Sequence, residues 1–378
     1  MSEKRVGIDA RFFGPGGKGL GRYTERLIKH LEALDLPFEL VVFLREENWE
    51  EYQPSNPKVK KVLAPYRWYS LAEQLYFPRL IRAQKLDLTH YAHFNVPLFA
   101  PKRFIVTIHD LILTKFPTER ASTLGPLRYW VKHAGSQLVL QQAVKRAEKV
   151  ITVSQYSAEQ IAQTLHVPKE KIQVILEGCE PLANTDPVRP QSLTQVEDGY
   201  VLYVGNAYPH KNLEYLLEVW EKMRASGRDE TLVLVGKMDY FYSRLRERAK
   251  QKGLLEGKSP VVFAGGLSDA ELQWAYAHSG LYVFPSLMEG FGLPPLEAMR
   301  AGVPVVAARA SCLPEILGPA AEYFDPHSQE DLQRAMLAVL DNPALREKYI
   351  SLGYEQIGRY RWEEMAKQTA QLYQELLY

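Results

Sequence analysis

Two glutamates spaced eight positions apart form the part of this sequence that points most directly to chemistry. Glu289 lies in a glycine loop after an apolar segment that ends at Phe284, and Glu297 follows shortly after two consecutive prolines. Because proline favours the first turn of a helix, the pattern predicts a strand, a loop and a helix with Glu297 in its first turn. Carboxylates placed in this way suit the hydroxyls of a sugar or ribose. The alternative, a solvated Glu289 and a helix-start charge at Glu297, fits the loop glycines Gly290 and Gly292 less well.

A second candidate site, around Lys211 and Asn212, has the residue types of an anion site. An apolar segment ends at Val204, a glycine follows, and Asn212 stands where it could cap the next helix. Backbone N–H groups at a helix start, together with one lysine, suit a phosphate group. A capped helix with a solvated lysine is the common alternative. The Gly-Lys-Ser order of a Walker A loop is absent, which argues against simple hydrolysis of a nucleoside triphosphate.

Two weaker patterns lie in the first third of the chain. The glycine-rich stretch 14–21, which includes Gly17 and Gly19, could hold an anion or a sugar against its backbone or form only a tight turn. His109 ends the apolar segment 104–109, where it could hydrogen-bond a substrate hydroxyl or transfer a proton near neutral pH. A lone histidine is more often structural. His90 and His93 lack partners close in sequence, so we predict no metal site.

The elements that must position these residues alternate between strands and helices. Strands are predicted at 6–10, 40–44, 86–91, 104–109, 150–154, 172–176, 200–204, 231–236, 261–264, 281–284 and 303–307. Helices are predicted at 157–165, 212–223, 269–278, 294–301, 329–340 and 362–377, and a first helix follows the glycine stretch. The segment 181–199, which lacks periodicity and contains three prolines, is the candidate linker. The pattern predicts two parallel-sheet domains, with a cleft between them as the default ligand site.

Length and composition limit the class of protein. A chain of 378 residues, 46% hydrophobic and 24% charged, predicts two globular domains and excludes a disordered, collagenous or disulfide-rich protein. The apolar runs are far shorter than the ~18 residues that span a bilayer, and the first residues do not read as a secretory signal. Two isolated cysteines, Cys179 and Cys312, indicate a reducing compartment and hence the cytoplasm.

Charge is distributed unevenly along the chain. Residues 51–150 contain 16 basic and 6 acidic side chains, although the net charge of the whole chain is only +1. This excess predicts a surface that meets something anionic, with a merely solvated basic surface as the alternative. Within it, residues 65–82 mix aromatic, aliphatic and basic side chains. We expect this helix to pack in the core with partial exposure rather than to serve mainly as a contact with an anionic membrane.

Together these segments resemble the retaining glycosyltransferases of family four, which have the two-domain GT-B fold. The resemblance covers nearly the whole chain, and its motifs follow in the family's order. They are the opening segment 7–11 with its glycine loop, Thr107-Ile108-His109-Asp110, the segment 152–157, Lys211-Asn212, the pair Glu289 and Glu297, and the last helix with Trp362. The paired glutamates are the most specific of these motifs.

The resemblance implies a role for each matching residue. Glu289 is expected to contact the hydroxyls of the donor sugar, Glu297 those of the ribose, and His109 the sugar near its reacting carbon. Lys211 and the helix start are expected to stabilise the leaving diphosphate. The other implied binding positions are the backbone of Phe291, Gly292 and Leu293, the positions Gly266 and Leu267 beside the base, and the acceptor-side loop with Gly17 and Gly19.

One position departs from the family pattern. Many members have an arginine directly after the glycine at position 205, where it binds the diphosphate, but this chain has Asn206. His210 or Lys237 could supply the missing positive charge, and the sequence does not decide between them. The change bears on donor affinity more than on the class of reaction.

We therefore expect an α/β protein with two Rossmann-like, doubly wound domains. These are an acceptor-side domain over residues 1–182, a nucleotide-sugar-binding domain over 183–358, and a helix over 359–378 that packs back on the first domain. The expected reaction is a metal-independent, retaining transfer of a hexose to a glycan or lipid-linked acceptor, with mannose from GDP-mannose as the first choice and UDP-sugars open. No cofactor beyond this donor and no nucleic-acid partner is expected. The expected location is the cytoplasm, with peripheral contact at the inner face of an anionic membrane through residues 51–150 as an option.

Three alternatives stay open at this point. A sugar-nucleotide epimerase or a phosphorylase could share the GT-B fold, although the sequence contains no further phosphate motif. An NAD-binding oxidoreductase would need an acidic residue after the second strand, but Glu39 precedes the apolar run 41–44. A non-catalytic sugar-nucleotide binding protein is disfavoured because Glu289, Glu297 and Lys211 are all present.

Overall fold

The computed structural model describes residues 3–116, 126–180, 186–258 and 260–378. Within these ranges the chain divides into two compact units. Residues 3–114, 126–178 and 361–378 form the N-terminal unit, and the remaining described residues, 115–116, 179–180, 186–258 and 260–360, form the C-terminal unit. Each unit is built around one parallel sheet.

Seven parallel strands form the sheet of the N-terminal unit. They are β1 (Lys4–Asp9), β2 (Phe38–Leu44), β3 (Val59–Leu63), β4 (Leu88–Tyr91), β5 (Phe104–Thr107), β6 (Val150–Thr152) and β7 (Ile172–Val174). Their order in the sheet is β3-β2-β1-β4-β5-β6-β7. Helices cover both faces of such a sheet, so its inner strands become continuous apolar runs. Accordingly, β2 is buried at every position except Glu39.

The helices of this part of the chain connect the successive strands. They are α1 (Lys18–Glu32), α2 (Leu71–Ala83), α3 (Ile112–Lys115), α4 (Pro126–Arg146) and α5 (Gln155–Leu165). Serine caps begin two of them: the Ser70 side chain accepts a hydrogen bond from the Glu73 backbone at α2, and Ser154 accepts one from Ser157 at α5. These caps fix where each helix starts after its loop.

The C-terminal unit repeats the design with six parallel strands. They are β8 (Tyr200–Val204), β9 (Leu232–Val235), β10 (Val261–Gly265), β11 (Ser279–Phe284), β12 (Val305–Ala308) and β13 (Ala321–Phe324), in the order β10-β9-β8-β11-β12-β13. Its helices are α6 (Leu213–Ala225), α7 (Tyr240–Gln251), α8 (Asp269–Ala277), α9 (Leu293–Arg300), α10 (Leu313–Leu317), α11 (Gln329–Leu340) and α12 (Pro343–Ile357). The carboxyl ends of all six strands point to one edge, where the loops that follow them gather.

The last helix, α13 (Trp362–Leu377), belongs to the N-terminal unit although it follows the C-terminal one. It packs along α1, and its buried Tyr373 hydroxyl lies 2.6 Å from Nδ1 of His90 in β4. The chain enters α13 in close contact with Gly178, where an added Cβ would lie 2.2 Å from the Trp362 backbone nitrogen. The predicted return of the final helix to the N-terminal domain is confirmed.

A buried ion cluster joins the carboxyl end of β1 to α2. Asp9 accepts hydrogen bonds from Nε and Nη2 of Arg11, each at 2.8 Å, and Glu73 accepts one from Nη2 at 2.7 Å. The guanidinium also lies 4.0 Å from the ring centroid of Phe77, and Asn95 donates a hydrogen bond to Glu73 at 2.8 Å. Burial raises the pKa of Glu73, although the charge of Arg11 acts against this. One arginine therefore forms ion pairs with two carboxylates that have little access to water.

The predicted α/β class with two doubly wound parallel sheets is confirmed. Two strands were not predicted, β3 and β13, and both lie at the edge of their sheet. Edge strands are only partly covered, so neither forms a continuous apolar run, and β3 contains two consecutive lysines. Of the predicted linker 181–199, residues 181–185 lie outside the described residues, and Gln191–Leu193 forms a short 3-10 turn. Among the described residues, no helix combines the length and the apolar character needed to cross a bilayer.

Candidate functional site

Lys211 and Glu289 form an ion pair at the carboxyl edge of the C-terminal sheet. Lys211 ends the 3-10 turn that follows β8, and Glu289 lies in the loop that follows the neighbouring strand β11. The distance from Nζ to Oε1 is 2.6 Å, and the two side chains are only 12% and 9% exposed. The ammonium group also lies 5.4 Å from the ring centroid of Phe284. The structure thus brings together two residues that the sequence assigned to separate motifs.

The loop that carries Glu289 is held by contacts with its neighbours. The backbone nitrogen of Glu289 donates to Oγ of Ser311 at 3.0 Å. The buried thiol of Cys312 donates to the carbonyl oxygens of Glu289 and Phe291 at 3.4 and 3.3 Å. Gly292, which precedes α9, has φ of +102°, a conformation that favours glycine. These contacts fix the loop from both sides, so the carboxylate of Glu289 has a defined position.

Glu297, the second predicted glutamate, lies on α9 and is buried. Its Oε2 accepts a hydrogen bond from the hydroxyl of Tyr276, in α8, at 3.1 Å. The predicted helix start at Pro294 is close to the observed one, since α9 begins at Leu293. The prediction that Glu297 lies in the first turn is wrong, because the earlier start places it just beyond that turn. A carboxylate has about four acceptor sites, so Glu297 is of a type that suits hydroxyl groups of a ligand.

The loops after β8, β9 and β10 lie against one another through their glycines. Gly205 donates from its backbone nitrogen to Val235, and Gly236 donates to Gly265, at 3.0 and 2.9 Å. A Cβ on Gly236 would lie 2.1 Å from the carbonyl oxygen of Gly205, so this approach requires glycine. The predicted binding positions Asn206, Lys237, Gly266 and Leu267 follow directly in these loops. Gly266 is exposed and has open space where a side chain would point.

The local environment distinguishes His210 from Lys237, the two residues that could replace the arginine absent at position 206. Burial, helped by the charge of Lys211, lowers the pKa of His210 to about 4, so His210 is neutral near pH 7. Lys237 is exposed and lies beside the loop of Asn206. The side chain of Asn206 is engaged within its own loop, where Oδ1 accepts from the Tyr208 backbone at 3.2 Å. Of the two candidates, only Lys237 can contribute a positive charge at neutral pH.

Asn212 occupies the position before α6, as predicted, but its side chain makes no capping hydrogen bond. It adopts φ of +59°, and its Nδ2 is buried without a hydrogen-bond partner among the described residues. The first backbone N–H groups of α6 are therefore not satisfied by this side chain. They remain donors for an anion, together with Lys211.

His109, Gly17 and Gly19 belong to the N-terminal unit, whereas the residues above belong to the C-terminal unit. Nδ1 of His109 is 3.1 Å from Oε1 of Glu177, a partner of this predicted site residue that the sequence did not reveal. A Cβ on Gly17 would lie 2.0 Å from the carbonyl oxygen of Phe12, so this glycine is needed for chain packing, whereas a Cβ on Gly19 would meet open space. Ser311 and Tyr276, which hold the two glutamates, were also missed because neither lies in a recognisable motif.

No group of three or more His, Cys, Asp or Glu side chains is arranged to hold a metal ion within the part of the chain that the structure describes. The positive groups at the C-terminal sheet edge include Lys211, the amides at the start of α6 and the exposed Lys237. The acidic groups there include Glu289 and Glu297. Such an edge can hold an anion beside hydroxyl groups, which is the chemistry of a sugar joined to a diphosphate.

Comparisons with known proteins agree with this geometry. Residues 17–181 match the model described as Glycosyltransferase Family 4, and residues 184–356 match the model of the Glycosyl transferases group 1. O-antigen chain mannosyltransferase B of Escherichia coli is 28% identical to this chain and aligns with 94% of it and 95% of its own length. O-antigen chain mannosyltransferase RfbU of Salmonella typhimurium is also 28% identical, over 82% of this chain and 80% of its own length.

A solved structure shows the same fold at low sequence identity. Sucrose-phosphate synthase from Thermosynechococcus elongatus has a TM-score of 0.77 to this chain, at 20% identity and with 99% of each chain covered. The predicted GT-B architecture is therefore confirmed. The two family models together account for nearly all of the chain, and they define its class of enzyme. The chain is a glycosyltransferase that uses a nucleotide-sugar donor, and it belongs to glycosyltransferase family 4, with a C-terminal domain of the group 1 glycosyl transferases.

Proposed function

We propose that this glycosyltransferase moves mannose from GDP-mannose to a hydroxyl of a glycan or lipid-linked sugar. The observation that carries the proposal is the Lys211–Glu289 pair, a cation and a carboxylate 2.6 Å apart at one sheet edge, which suits a diphosphate joined to a sugar. The choice of mannose is supported by the names of the Escherichia coli and Salmonella relatives, both of which are mannosyltransferases of O-antigen chains.

We assign the donor contacts as follows. Lys211, the start of α6 and Lys237 bind the diphosphate, Glu289 accepts hydrogen bonds from hydroxyls of the sugar, and Glu297 binds those of the ribose. Further contacts come from the backbone of Phe291, Gly292 and Leu293 and from Gly266 and Leu267 beside the base. His109 contacts the donor sugar. The neutral state of His210 and the engaged side chain of Asn206 support Lys237 as the second cation.

The proposed reaction retains the configuration at the sugar and needs no metal ion. The bond from the anomeric carbon to the diphosphate oxygen breaks, and the acceptor hydroxyl forms its new bond on the same face. Its proton passes to an oxygen of the leaving diphosphate. Lys211 and the helix amides stabilise the negative charge that grows on the diphosphate, and loss of one such group typically costs about 10² to 10³ in rate.

A transfer assay in EDTA tests the donor, the stereochemistry and the metal independence together. Purified protein would be incubated with GDP-mannose, UDP-glucose or UDP-galactose and a synthetic lipid-linked mannoside. We expect transfer from GDP-mannose alone, an α-linked product by NMR, and a loss of about 10² or more in kcat for Lys211→Met. Glu247→Gln, which removes an exposed carboxylate on α7, serves as the matched control. Transfer from a UDP-sugar would overturn the choice of donor, and a β-linked product would overturn the retaining stereochemistry. Strict dependence on added Mg²⁺ would overturn the metal independence.

We further propose that α2 and the loop at 97–100 contact an anionic membrane surface. Leu71 is 83% exposed and Phe99 62% exposed, and Leu75 and Tyr76 are half exposed. The two segments adjoin, because Arg82 donates to the Phe99 carbonyl oxygen at 2.8 Å. Apolar side chains beside arginines suit the boundary between headgroups and acyl chains of anionic lipid.

Sedimentation with lipid vesicles tests this surface. We expect binding to vesicles that contain 30% phosphatidylglycerol and little binding to pure phosphatidylcholine. The double variant Leu71→Ser/Leu75→Ser should lose most of this binding, whereas Tyr354→Ser, an exposed aromatic of the C-terminal unit, should keep it. Equal binding by both variants would contradict the assignment. Cys179 and Cys312 are buried and are not joined in a disulfide, which supports a location in the cytoplasm, at the inner face of such a membrane.

A further inference from the structure

His109 has an oxygen acceptor at each of its ring nitrogens. Nδ1 is 3.1 Å from Oε1 of Glu177, which follows β7, and Nε2 is 3.2 Å from the backbone oxygen of Ala92, which follows β4. The side chains of His109 and Glu177 are only 18% and 7% exposed, so water has little access to the contact between them. The backbone is fixed as well, because Oγ of Ser157 donates to the His109 carbonyl oxygen at 3.2 Å.

The number of protons on this ring follows from its two partners. A neutral imidazole has one N–H donor and one lone pair, whereas an imidazolium has two N–H donors. A backbone carbonyl and an ionised carboxylate can only accept. In a neutral ring, one nitrogen lone pair would face an oxygen lone pair, and a largely buried acceptor would lose its hydrogen bond. The doubly protonated ring satisfies both contacts.

The charges and hydrogen-bond acceptors that face His109 also favour its protonated form. Burial by itself lowers the pKa of His109, but the hydrogen bond and charge of Glu177, the charge of Asp110 and the Ala92 carbonyl raise it above its ordinary value. The ring of Tyr23, on α1, packs perpendicular to the imidazole with 4.5 Å between centroids. Burial raises the pKa of Tyr23, so this phenol stays neutral and adds no charge.

His90 provides an internal contrast. Its two nitrogens also have close partners, but these are the hydroxyls of Tyr373 at 2.6 Å and Thr107 at 2.8 Å. A hydroxyl can donate or accept, so a neutral ring satisfies both contacts. Burial, followed by the charge on His109, lowers the pKa of His90 and of the neighbouring His93 to about 3. Among these three histidines, His109 alone is placed to carry a charge.

We propose that Glu177 is a positioning residue that holds His109 as a fixed imidazolium, so that His109 acts in transfer as a cation and not as a proton acceptor. Both ring nitrogens already carry a proton, which leaves no lone pair for general-base catalysis. The consequence for transfer rests on the proposed function, whereas the protonation state does not. Because the pKa of the folded state lies above the unfolded value, the pair stabilises the fold fully below about pH 6.5, and this contribution is lost as pH rises through the folded pKa.

Nitrogen NMR of the intact protein measures the protonation state directly. The histidines would be labelled with ¹⁵N, the His109 signals assigned by their loss in His109→Gln, and spectra recorded between pH 5 and 9. We expect two similar, imidazolium-type nitrogen shifts for His109 at pH 7. Glu177→Gln keeps an acceptor oxygen but removes the charge, and it should lower the pKa of His109 by about 1–3 units. Glu159→Gln, an exposed carboxylate on α5, removes the same charge without this contact and should leave the pKa unchanged.

The transfer reaction supplies the second measurement. If the imidazolium is the active form, kcat should decline as pH rises through the pKa of His109. In Glu177→Gln this decline should move to lower pH by the same interval as the His109 titration, with KM changed less than kcat. Widely separated, neutral-type nitrogen shifts in the wild-type protein at pH 7 would overturn the proposal, and so would an unchanged pKa in a folded Glu177→Gln. If the donor proves to be another nucleotide sugar, the nitrogen signals still decide the protonation state, so the two failures are distinguishable.

Discussion

We predict that substitutions at the two members of the Lys211–Glu289 pair have opposite effects on the affinity for a nucleoside diphosphate. When a nucleoside diphosphate arrives, its oxygens compete with the Glu289 carboxylate for the same ammonium group. We therefore expect Glu289→Gln to strengthen the binding of GDP while it weakens sugar transfer. Lys211→Met should weaken both, because it removes the cation itself.

The expected size follows from the geometry of the pair. At 2.6 Å and an effective dielectric constant of 20, the gross attraction between two unit charges is about 6 kcal/mol. Most of this is offset by the loss of hydration, and a hydrogen bond between charged groups stabilises by about 1.5–3 kcal/mol net. Glutamine still accepts a hydrogen bond, so Glu289→Gln should release only the lower part of that range. One factor of ten corresponds to about 1.4 kcal/mol, so the Kd of GDP should fall roughly tenfold.

Isothermal titration calorimetry with GDP on the two single variants and the double variant separates competition from general repulsion. If Glu289 competes for Lys211, Glu289→Gln should change the Kd less than about twofold in the Lys211→Met background, because the contested cation is absent. Glu247→Gln controls for the change in net charge. A tenfold fall in the Kd of GDP that persists in the double variant would show simple charge repulsion. An unchanged Kd in the Glu289→Gln single variant would refute the competition outright.

Two further predictions concern the stability of the N-terminal unit. Arg11→Met leaves the buried carboxylates of Asp9 and Glu73 without their cation, so the free energy of unfolding in urea should fall by about 3–5 kcal/mol, and a loss below 1 kcal/mol would contradict the ion cluster. Tyr373→Phe removes the hydroxyl that faces Nδ1 of His90, and the same measurement should show a loss of about 1–3 kcal/mol, with an unchanged stability speaking against that hydrogen bond.

The sequence predicts the sheets well because most of their strands are apolar runs that burial requires. The positions of Lys211 and Glu289 are also predictable, since each follows a strand in a segment with proline or glycine, and Glu297 lies on the helix that begins at the proline pair. Their contacts are less predictable: Lys211 and Glu289 are 78 positions apart and meet only because β8 and β11 are neighbours in the sheet. The order of strands, and not the local sequence, decides which loops adjoin.

Some residues of the candidate site give no signal in the sequence at all. Glu177 follows a three-residue strand and lies outside any motif, yet the fold places it at the imidazole of His109. The choice between His210 and Lys237 likewise depends on burial, because the sequence shows two basic residues and only the structure shows that one is neutral. Residue types suggest candidates, and their environment determines which of them carry charge.

The membership of α13 in the N-terminal unit has a consequence for how the protein is made. The C-terminal unit consists of residues 179–360 and a short earlier segment. The N-terminal unit includes residues 361–378, which are translated after it. During synthesis the seven-stranded sheet therefore leaves the ribosome without the helix that buries Tyr373 against His90. That surface stays open until more than 180 further residues have been translated, roughly ten seconds or longer at the usual rates. A nascent chain paused within that interval leaves exposed the face of α1 that α13 covers in the finished protein.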